Sequence, residues 1–113
     1  MTVLWGDTET RSRCDLKSRG AYNYSADAST QILCFSYAFD DEPVQTWVPP
    51  APFPSRVTQH INAGGQLRFH NAGFDRLITE YVLGPDFGVP TPPLTSWYCT
   101  AAQARANCAP GSL

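Results

Sequence analysis

Two acidic residues lie close together near the start of the chain. Asp7 and Glu9 follow an apolar run from Val3 to Trp5, which predicts a buried strand over residues 2–7. If the strand continues through the acids, both carboxylates point to one face, ~7 Å apart along the backbone. Because no Lys or Arg accompanies them on the predicted strand, we expect a divalent cation with oxygen ligands to balance them. The alternative is that the strand ends before the acids and that both are solvated loop charges.

A second group of polar residues occurs in the stretch FHNAGFD, residues 69–75. Asn71 is predicted as the N-cap of a helix, and Asp75, four positions later, then lies on the same side one turn away. Gly73 is a poor helix former in that first turn and suggests that another group approaches closely there. The structural alternative for Asp75 is a stabilising carboxylate at the positive end of the helix dipole.

The rest of the pattern predicts strands joined by turns and helices. Residues 11–30 lack clear periodicity and are predicted to form a long connection with a helical turn near residues 15–17. Proline-rich segments at 49–54 and 84–93 are predicted loops. Ser55 is a predicted N-cap. Further strands are predicted at 31–39, 44–48, 66–70 and 96–100, and helices at 56–63, from Asn71 onward and at 101–109.

This order predicts an α/β fold. Three antiparallel strands come first and helix-linked parallel strands follow, which gives one mixed sheet flanked by helices. The strand that carries Asp7 and the strand that ends at Phe69 can pair in parallel, so their carboxyl ends share one edge of the sheet. We therefore expect Asp7, Glu9 and Asp75 to converge there. Three carboxylates without cationic partners are typical of a two-metal site, whose natural chemistry is phosphoryl transfer or phosphodiester hydrolysis.

Composition limits the classes of protein that fit. The 113 residues are enough for one domain or part of one, and the net charge of −2 gives no overall basic field for nucleic acid. An anionic substrate must therefore be held by local groups or bridging metal ions. The four cysteines show no C-x-x-C pair, so neither a zinc site nor a disulfide framework is indicated. With no signal-peptide pattern and no window of ~18 apolar residues, we expect a cytoplasmic protein with reduced thiols and no membrane contact.

The two polar groups together resemble a known family. The motif DTET at residues 7–10 and the motif HNAGFD at residues 70–75 are similar to the first two motifs of 3′–5′ proofreading exonuclease domains. The resemblance implies the ribonuclease H-like fold of the DnaQ-like superfamily. The flanking sequence, over essentially all 113 residues, resembles the N-terminal part of bacteriophage polymerases of the DNA polymerase I kind, family A. A phage or prophage origin in a bacterial cell follows from that resemblance.

The resemblance implies a role for each matching residue. Asp7 would bridge two Mg²⁺ or Mn²⁺ ions, Glu9 would bind the ion that activates water, and Asp75 would support the second ion. The residues implied to contact the substrate are Thr8, Thr10, Asn71 and Phe74. The partner would be the 3′ end of single-stranded DNA or a primer terminus, and a polymerase domain would accompany the site in a longer protein.

Two departures from the family are visible. The family has a further motif with a fourth catalytic Asp, expected beyond Leu113, and the only acids after Asp75 are Glu80 and Asp86. Arg13 stands near the position of an apolar wedge in the family, and either contacts phosphate or faces solvent. We therefore expect residues 1–113 to form a partial exonuclease domain, slower by ~10²-fold or more, with uncovered apolar sheet surface that favours marginal stability or association.

Two other functions stay open at this stage. One alternative is a truncated nucleic-acid-binding module with weak or no catalysis, because the third acidic motif is missing. A ribonuclease H-like nuclease that cuts inside a strand is the other alternative. The sequence does not decide between DNA and RNA, the direction of cutting or the oligomeric state.

Overall fold

A five-stranded mixed sheet organises the chain, and the computed structural model describes residues 2–106 of it. The strands are β1 (Val3–Arg11), β2 (Gln31–Phe39), β3 (Gln45–Trp47), β4 (Gln66–Phe69) and β5 (Trp97–Cys99). They lie in the order β3-β2-β1-β4-β5. The pairs β1–β2 and β2–β3 are antiparallel, whereas β1–β4 and β4–β5 are parallel.

The helices connect these strands and pack against the sheet. They are α1 (Leu16–Ala26), α2 (Ser55–Asn62), α3 (Ala72–Ile78), α4 (Gly84–Phe87) and α5 (Thr100–Ala106), with a π-helix at Thr79–Leu83 and a 3-10 helix at Leu94–Ser96. The π-helix joins α3 directly to α4, so residues 72–87 form one helical run. None of the helices in the described residues is long and apolar enough to cross a membrane.

Strand β1 is the centre of the sheet and extends beyond its parallel neighbour. Its pairing with β4 runs from Val3–Gln66 to Gly6–Phe69 and stops there because β4 ends at Phe69. Its pairing with β2 continues to Arg11. A register shift after Glu9 leaves one extra residue on β2, which is the pattern of a β-bulge. The segment from Asp7 to Arg11 therefore lies at an open edge, where α3 begins.

The hydrophobic core lies on one face of the sheet. Leu4, Phe35 and Leu67 from three strands pack into the same cluster as Val57 of α2 and Ile78 of α3. Burial of this face, at about 25 cal/mol per Å² of apolar surface, is the main force that holds the helices on the sheet.

The opposite face of the sheet carries exposed aromatic side chains. Trp5 is 40% exposed and Tyr98 is 38% exposed, although the sequence suggested a buried run up to Trp5. The guanidinium of Arg68 lies between them, with its carbon 5.5 Å from each ring centre. The apolar type of residue 5 does not say which face of the strand it occupies, and alternation with the buried Leu4 places it on the open face.

The predicted α/β fold with a mixed sheet is confirmed, as are most strands. β2 has the predicted bounds, and β3, β4 and β5 lie within the strands that the pattern predicts. Helix α5 matches the start of the predicted helix at 101–109. Residues 107–109 of that predicted helix lie outside the described residues.

Several predicted boundaries are wrong. The strand predicted at 2–7 continues to Arg11, because β2 pairs with it along that length. Ser55 is the first residue of α2 and makes no cap, since Pro54 holds the N-cap position. Residues 84–87 are helical because they continue the preceding helical run, and the proline there stands in a first turn, where its missing N–H costs little.

The predicted connection at 11–30 contains helix α1. Asp15 caps it by accepting a hydrogen bond from the backbone N–H of Lys17 at 3.2 Å. Gly20, at φ 81° and ψ 166°, interrupts the helical conformation, and only Tyr24 and Ser25 are buried. The interruption and the small buried surface explain why no helical periodicity is visible in the sequence.

Gly6 is required at the centre of the sheet because Phe69 packs directly over it. A Cβ at this position would lie 2.7 Å from Cε2 of the Phe69 ring. That ring is held from both sides, stacked on Phe35 with ring centres 6.2 Å apart and tilted against Trp97 at 5.1 Å. The ring therefore has little room to move away.

We predict that Gly6→Ala lowers the free energy of unfolding by about 1–3 kcal/mol, because the new methyl group overpacks the core. Gly73→Ala is the matched control: no heavy atom of its surroundings lies within 4 Å of the added Cβ, and alanine favours a helix by up to about 1 kcal/mol. Urea unfolding of both variants measures the difference. Equal stability of the two variants contradicts the packing of Phe69 on Gly6.

Candidate active site

Strand β1 presents the two acidic residues at the open edge of the sheet. Asp7 and Glu9 lie inside the strand and are both exposed, so the alternative of a strand that ends before them is wrong. They pair across the sheet with Ser36 and Cys34 of β2, on the face opposite the core. Thr8 lies between them and points the other way, into the core, where it is 9% exposed.

Helix α3 brings Asp75 to the buried side of the same strand. The Thr8 hydroxyl donates a hydrogen bond to Oδ1 of Asp75 at 2.6 Å, across 67 positions of sequence. Asp75 is 4% exposed. In the next helical turn, the Thr79 hydroxyl donates to the backbone carbonyl of Asp75 at 2.8 Å. One buried hydrogen bond thus joins the candidate acid of the helix to the strand that carries the other two.

The electrostatics of Asp75 are unfavourable for its charged form. Burial raises the pKa of Asp75 from its usual value to about 7, and the negative charge of Asp7 adds to the rise, while the Thr8 hydrogen bond opposes it. Within residues 2–106, no ion pair reaches either Asp7 or Asp75. The two carboxylates therefore lie close enough to repel, and nothing in this part of the chain neutralises them.

Tyr24 of α1 joins two of the residues predicted to contact the substrate. Its hydroxyl shares a hydrogen bond with the Thr10 hydroxyl at 2.9 Å, and its ring packs on Phe74 with ring centres 5.7 Å apart. Thr10 and Phe74 are therefore both held by one buried tyrosine. Tyr24 was not among the predicted site residues, because the residues around it show no helical periodicity and were predicted to form a connection. Asp15 before Leu16 is nevertheless an N-cap signal for the helix that carries Tyr24.

Asn71 does not join Asp75 on one side of the helix. It holds the predicted N-cap position of α3, but it is exposed, has a left-handed backbone with φ 69°, and makes no capping hydrogen bond through its side chain. Its neighbour His70 contacts the helix after β5: Nδ1 of His70 lies 2.9 Å from the Thr100 hydroxyl. His70 thus contacts the start of α5 and supports the end of the sheet.

The donor set of the site suits a divalent cation only in part. Asp7 and Asp75 supply unneutralised carboxylate oxygens, the ligands that Mg²⁺ and Mn²⁺ prefer. Nowhere in residues 2–106, however, do three His, Cys, Asp or Glu side chains form a group that could hold a metal ion. Glu9 shares the exposed face with Asp7, whereas Asp75 lies on the Thr8 side. The two-metal site of Asp7, Glu9 and Asp75 stays a prediction.

The chain was compared with protein families and with individual known proteins. No family model matches the chain. The chain is 32% identical over 116 aligned residues to a DNA polymerase of Bacillus phage SP02. The alignment covers 100% of the chain but 17% of that polymerase, so the chain spans a small part of the length of this relative. The chain is therefore similar to one stretch of a phage DNA polymerase.

We predict that Asp75→Asn stabilises the protein at pH 8 and not at pH 4. The carboxyl has a pKa of about 7 in the folded protein and about 3.9 in the unfolded chain. The unfolded chain releases its proton first, so stability falls as the pH rises from about 4 to about 7. Asparagine keeps an acceptor for Thr8 and removes this penalty, which amounts to at most about 4 kcal/mol at about 1.4 kcal/mol per pKa unit.

Urea unfolding at several pH values from 4 to 8 measures this difference. Asp41→Asn is the control, because Asp41 is exposed in the turn between β2 and β3. The Asp75→Asn advantage should be absent at pH 4 and full above pH 7. A constant difference across this range contradicts a buried, charge-repelled Asp75.

Proposed function

We propose that this chain is part of a DNA polymerase-related protein and forms part of its 3′–5′ exonuclease domain. The observation that carries the proposal is the position of Asp75, which α3 holds against β1 within the electrostatic reach of Asp7. The likeness of the whole chain to a stretch of a phage DNA polymerase supports the same assignment. The reaction would be hydrolysis of the 3′-terminal phosphodiester of DNA.

The topology agrees with the ribonuclease H-like fold that the motifs imply. An antiparallel trio of strands is followed by two parallel strands in the order β3-β2-β1-β4-β5. The first acidic motif lies on the central strand, and the second lies on the helix after the parallel neighbour. Both motifs thus reach one edge of the sheet, where ligands bind in folds with parallel strands.

The residues of the proposed site would have different roles. Asp7 and Glu9 are exposed and accessible to a substrate, and with Asp75 they would hold two Mg²⁺ or Mn²⁺ ions. Bound there, the ions would stabilise the attacking and leaving oxygens of the phosphodiester. Thr8 fixes the orientation of Asp75 through its hydrogen bond. An ionised Asp75 is required for such binding, so the raised pKa predicts weaker metal binding below pH 7.

Tyr24 would shape the neighbouring nucleotide pocket. It fixes Thr10 by a hydrogen bond and Phe74 by ring packing, so these two residues present a rigid surface next to Glu9. Asn71 is exposed at the start of α3 and is accessible to the terminal nucleotide. Side chains that are already fixed in this way would orient the 3′ end for hydrolysis at a smaller cost in conformational entropy.

A second function, a nucleic-acid-binding module with weak or no catalysis, is favoured by one observation. The described residues contain no group of three possible metal ligands. A site with fewer ligands binds its ions more weakly and orients the attacking water less well. Activity therefore separates the two functions.

We predict Mn²⁺-dependent release of mononucleotides from the 3′ end of single-stranded DNA. Asp7→Asn should lower the rate by about 10²-fold or more, because it removes a carboxylate from the metal site. Asp41→Asn, the same change in an exposed turn, should leave the rate unchanged. Gel analysis of 5′-labelled DNA measures both variants. Equal rates for the two variants would exclude Asp7 from catalysis, and wild-type protein without activity would favour the binding module.

A further inference from the structure

A polar cleft lies at the end of β1, beyond the acidic residues. It has a volume of about 860 Å³ and is lined chiefly by Arg11, Ser12, Arg13, Asp27, Ser29 and Gln31. These residues come from the end of β1, the segment that follows it, the segment after α1 and the start of β2. The cleft thus forms where the chain leaves the sheet and returns to it.

Hydroxyl groups make the wall of the cleft rigid. The Ser12 hydroxyl lies 3.2 Å from the Ser29 hydroxyl and accepts a hydrogen bond from the Thr30 hydroxyl at 2.7 Å. The backbone N–H of Arg13 donates to the Ser29 hydroxyl at 2.9 Å, and that of Cys14 donates to Ser12 at 3.0 Å. The backbone that carries Arg13 is therefore fixed from two sides.

The two arginines differ in how they are held. Nε and Nη2 of Arg11 both donate to the side-chain oxygen of Gln31, at 2.9 and 2.7 Å. The guanidinium is therefore oriented by a neutral partner that does not offset its positive charge. The Arg13 guanidinium is exposed, and within residues 2–106 it makes no hydrogen bond or ion pair. A fixed and an unpaired guanidinium on one wall are suited to phosphate oxygens.

The acid in the cleft, Asp27, offsets only part of this positive charge. Both the hydroxyl and the backbone N–H of Ser29 donate to Asp27, and these bonds lower the pKa of Asp27, with the charges of Arg19 and Arg13 adding to the effect. Asp27 therefore stabilises the turn at residues 27–29 through these two hydrogen bonds. Two arginines against one aspartate leave the cleft lining a net charge of +1, in a chain whose net charge is −2. One positive charge matches one phosphodiester.

The cleft is aligned with the candidate active site. Asp7, Glu9 and Arg11 occupy every second position of β1 and therefore lie on the same face of the sheet. The bulge does not break this pattern, because its extra residue lies on β2. Arg11 therefore follows Glu9 by ~7 Å and Asp7 by ~13 Å along the strand. A nucleic-acid strand whose end lies at the carboxylates has its next phosphates within reach of the cleft.

We propose that Arg11 and Arg13 form a phosphate subsite that holds the DNA strand upstream of its 3′ end. The inference rests on the proposed function and adds a binding site to it. Arg11, oriented by Gln31, and the unpaired Arg13 bind a phosphodiester, while the carboxylates face the terminal linkage. A basic subsite beside an acidic one holds the strand against the repulsion of Asp7 and Glu9.

Binding of a 5′-labelled single-stranded oligodeoxynucleotide with a free 3′ end tests the subsite. Fluorescence anisotropy with Ca²⁺ in place of Mg²⁺ gives the affinity at salt concentrations from 50 to 200 mM. Arg13→Gln should weaken binding about five- to tenfold and lower the slope of log K against log salt by about 0.7, the value for one phosphate contact on a single strand. Arg56→Gln is the control. Arg56 lies near the other end of β2, where its Nη2 is 2.8 Å from Oε2 of Glu42.

A neutral linkage in the DNA identifies the contact itself. Oligonucleotides with one methylphosphonate near the 3′ end should lose affinity for the wild type at one or two positions, and Arg13→Gln should be insensitive at those same positions. If Arg13→Gln binds like Arg56→Gln, or if the wild type does not bind, the subsite is overturned. If Arg13→Gln weakens binding but Asp7→Asn leaves mononucleotide release unchanged, the subsite stands and the exonuclease assignment fails.

Discussion

The hydrogen bond from Thr8 to Asp75 is the interaction on which the site depends. It joins the central strand to helix α3 across 67 positions and is buried, so it lies in surroundings of low polarity where its loss is costly. A hydrogen bond to a charged group contributes about 1.5–3 kcal/mol, and an unsatisfied buried carboxylate costs more. The same bond sets where the Asp75 carboxyl lies relative to Asp7. The stability of the fold and the position of this candidate catalytic carboxyl therefore depend on one contact.

The alternation of β1 distributes these roles between its two faces. Thr8 points into the core and binds the helix, while Asp7, Glu9 and Arg11 lie in line on the exposed face. Because β4 ends at Phe69, this part of β1 has no parallel neighbour and stays accessible. The extension of β1 past the end of β4 thus creates the open edge. Along this edge, two negative charges on Asp7 and Glu9 are followed by the positive charge of Arg11. This order of charges is the basis of our proposal that a phosphodiester strand binds with one end at the carboxylates.

Much of this arrangement can be predicted from sequence patterns. The remaining features cannot, for physical reasons that differ from one feature to the next. The apolar run of residues 31–39 gives β2 directly, and the acidic motifs locate β1 and α3. Helix α1 cannot be predicted from the sequence pattern, because Gly20 interrupts it and few of its residues are buried. Its residues therefore show no helical periodicity of apolar side chains. The pairing of Thr8 with Asp75 is a long-range contact, which no local propensity encodes. The exposure of Trp5 depends on which face of the sheet the helices cover.

The midpoint for titration of the Asp75 carboxyl tests the central claim most directly. Carbon-13 NMR of the side-chain carboxyl, in the wild type and in Asp7→Asn and Thr8→Val, reports the burial, the neighbouring charge and the hydrogen bond separately. We expect a pKa of about 7 in the wild type, a lower value in Asp7→Asn and a higher one in Thr8→Val. A midpoint near the ordinary value of about 4, unchanged by either substitution, would contradict the site described for this protein.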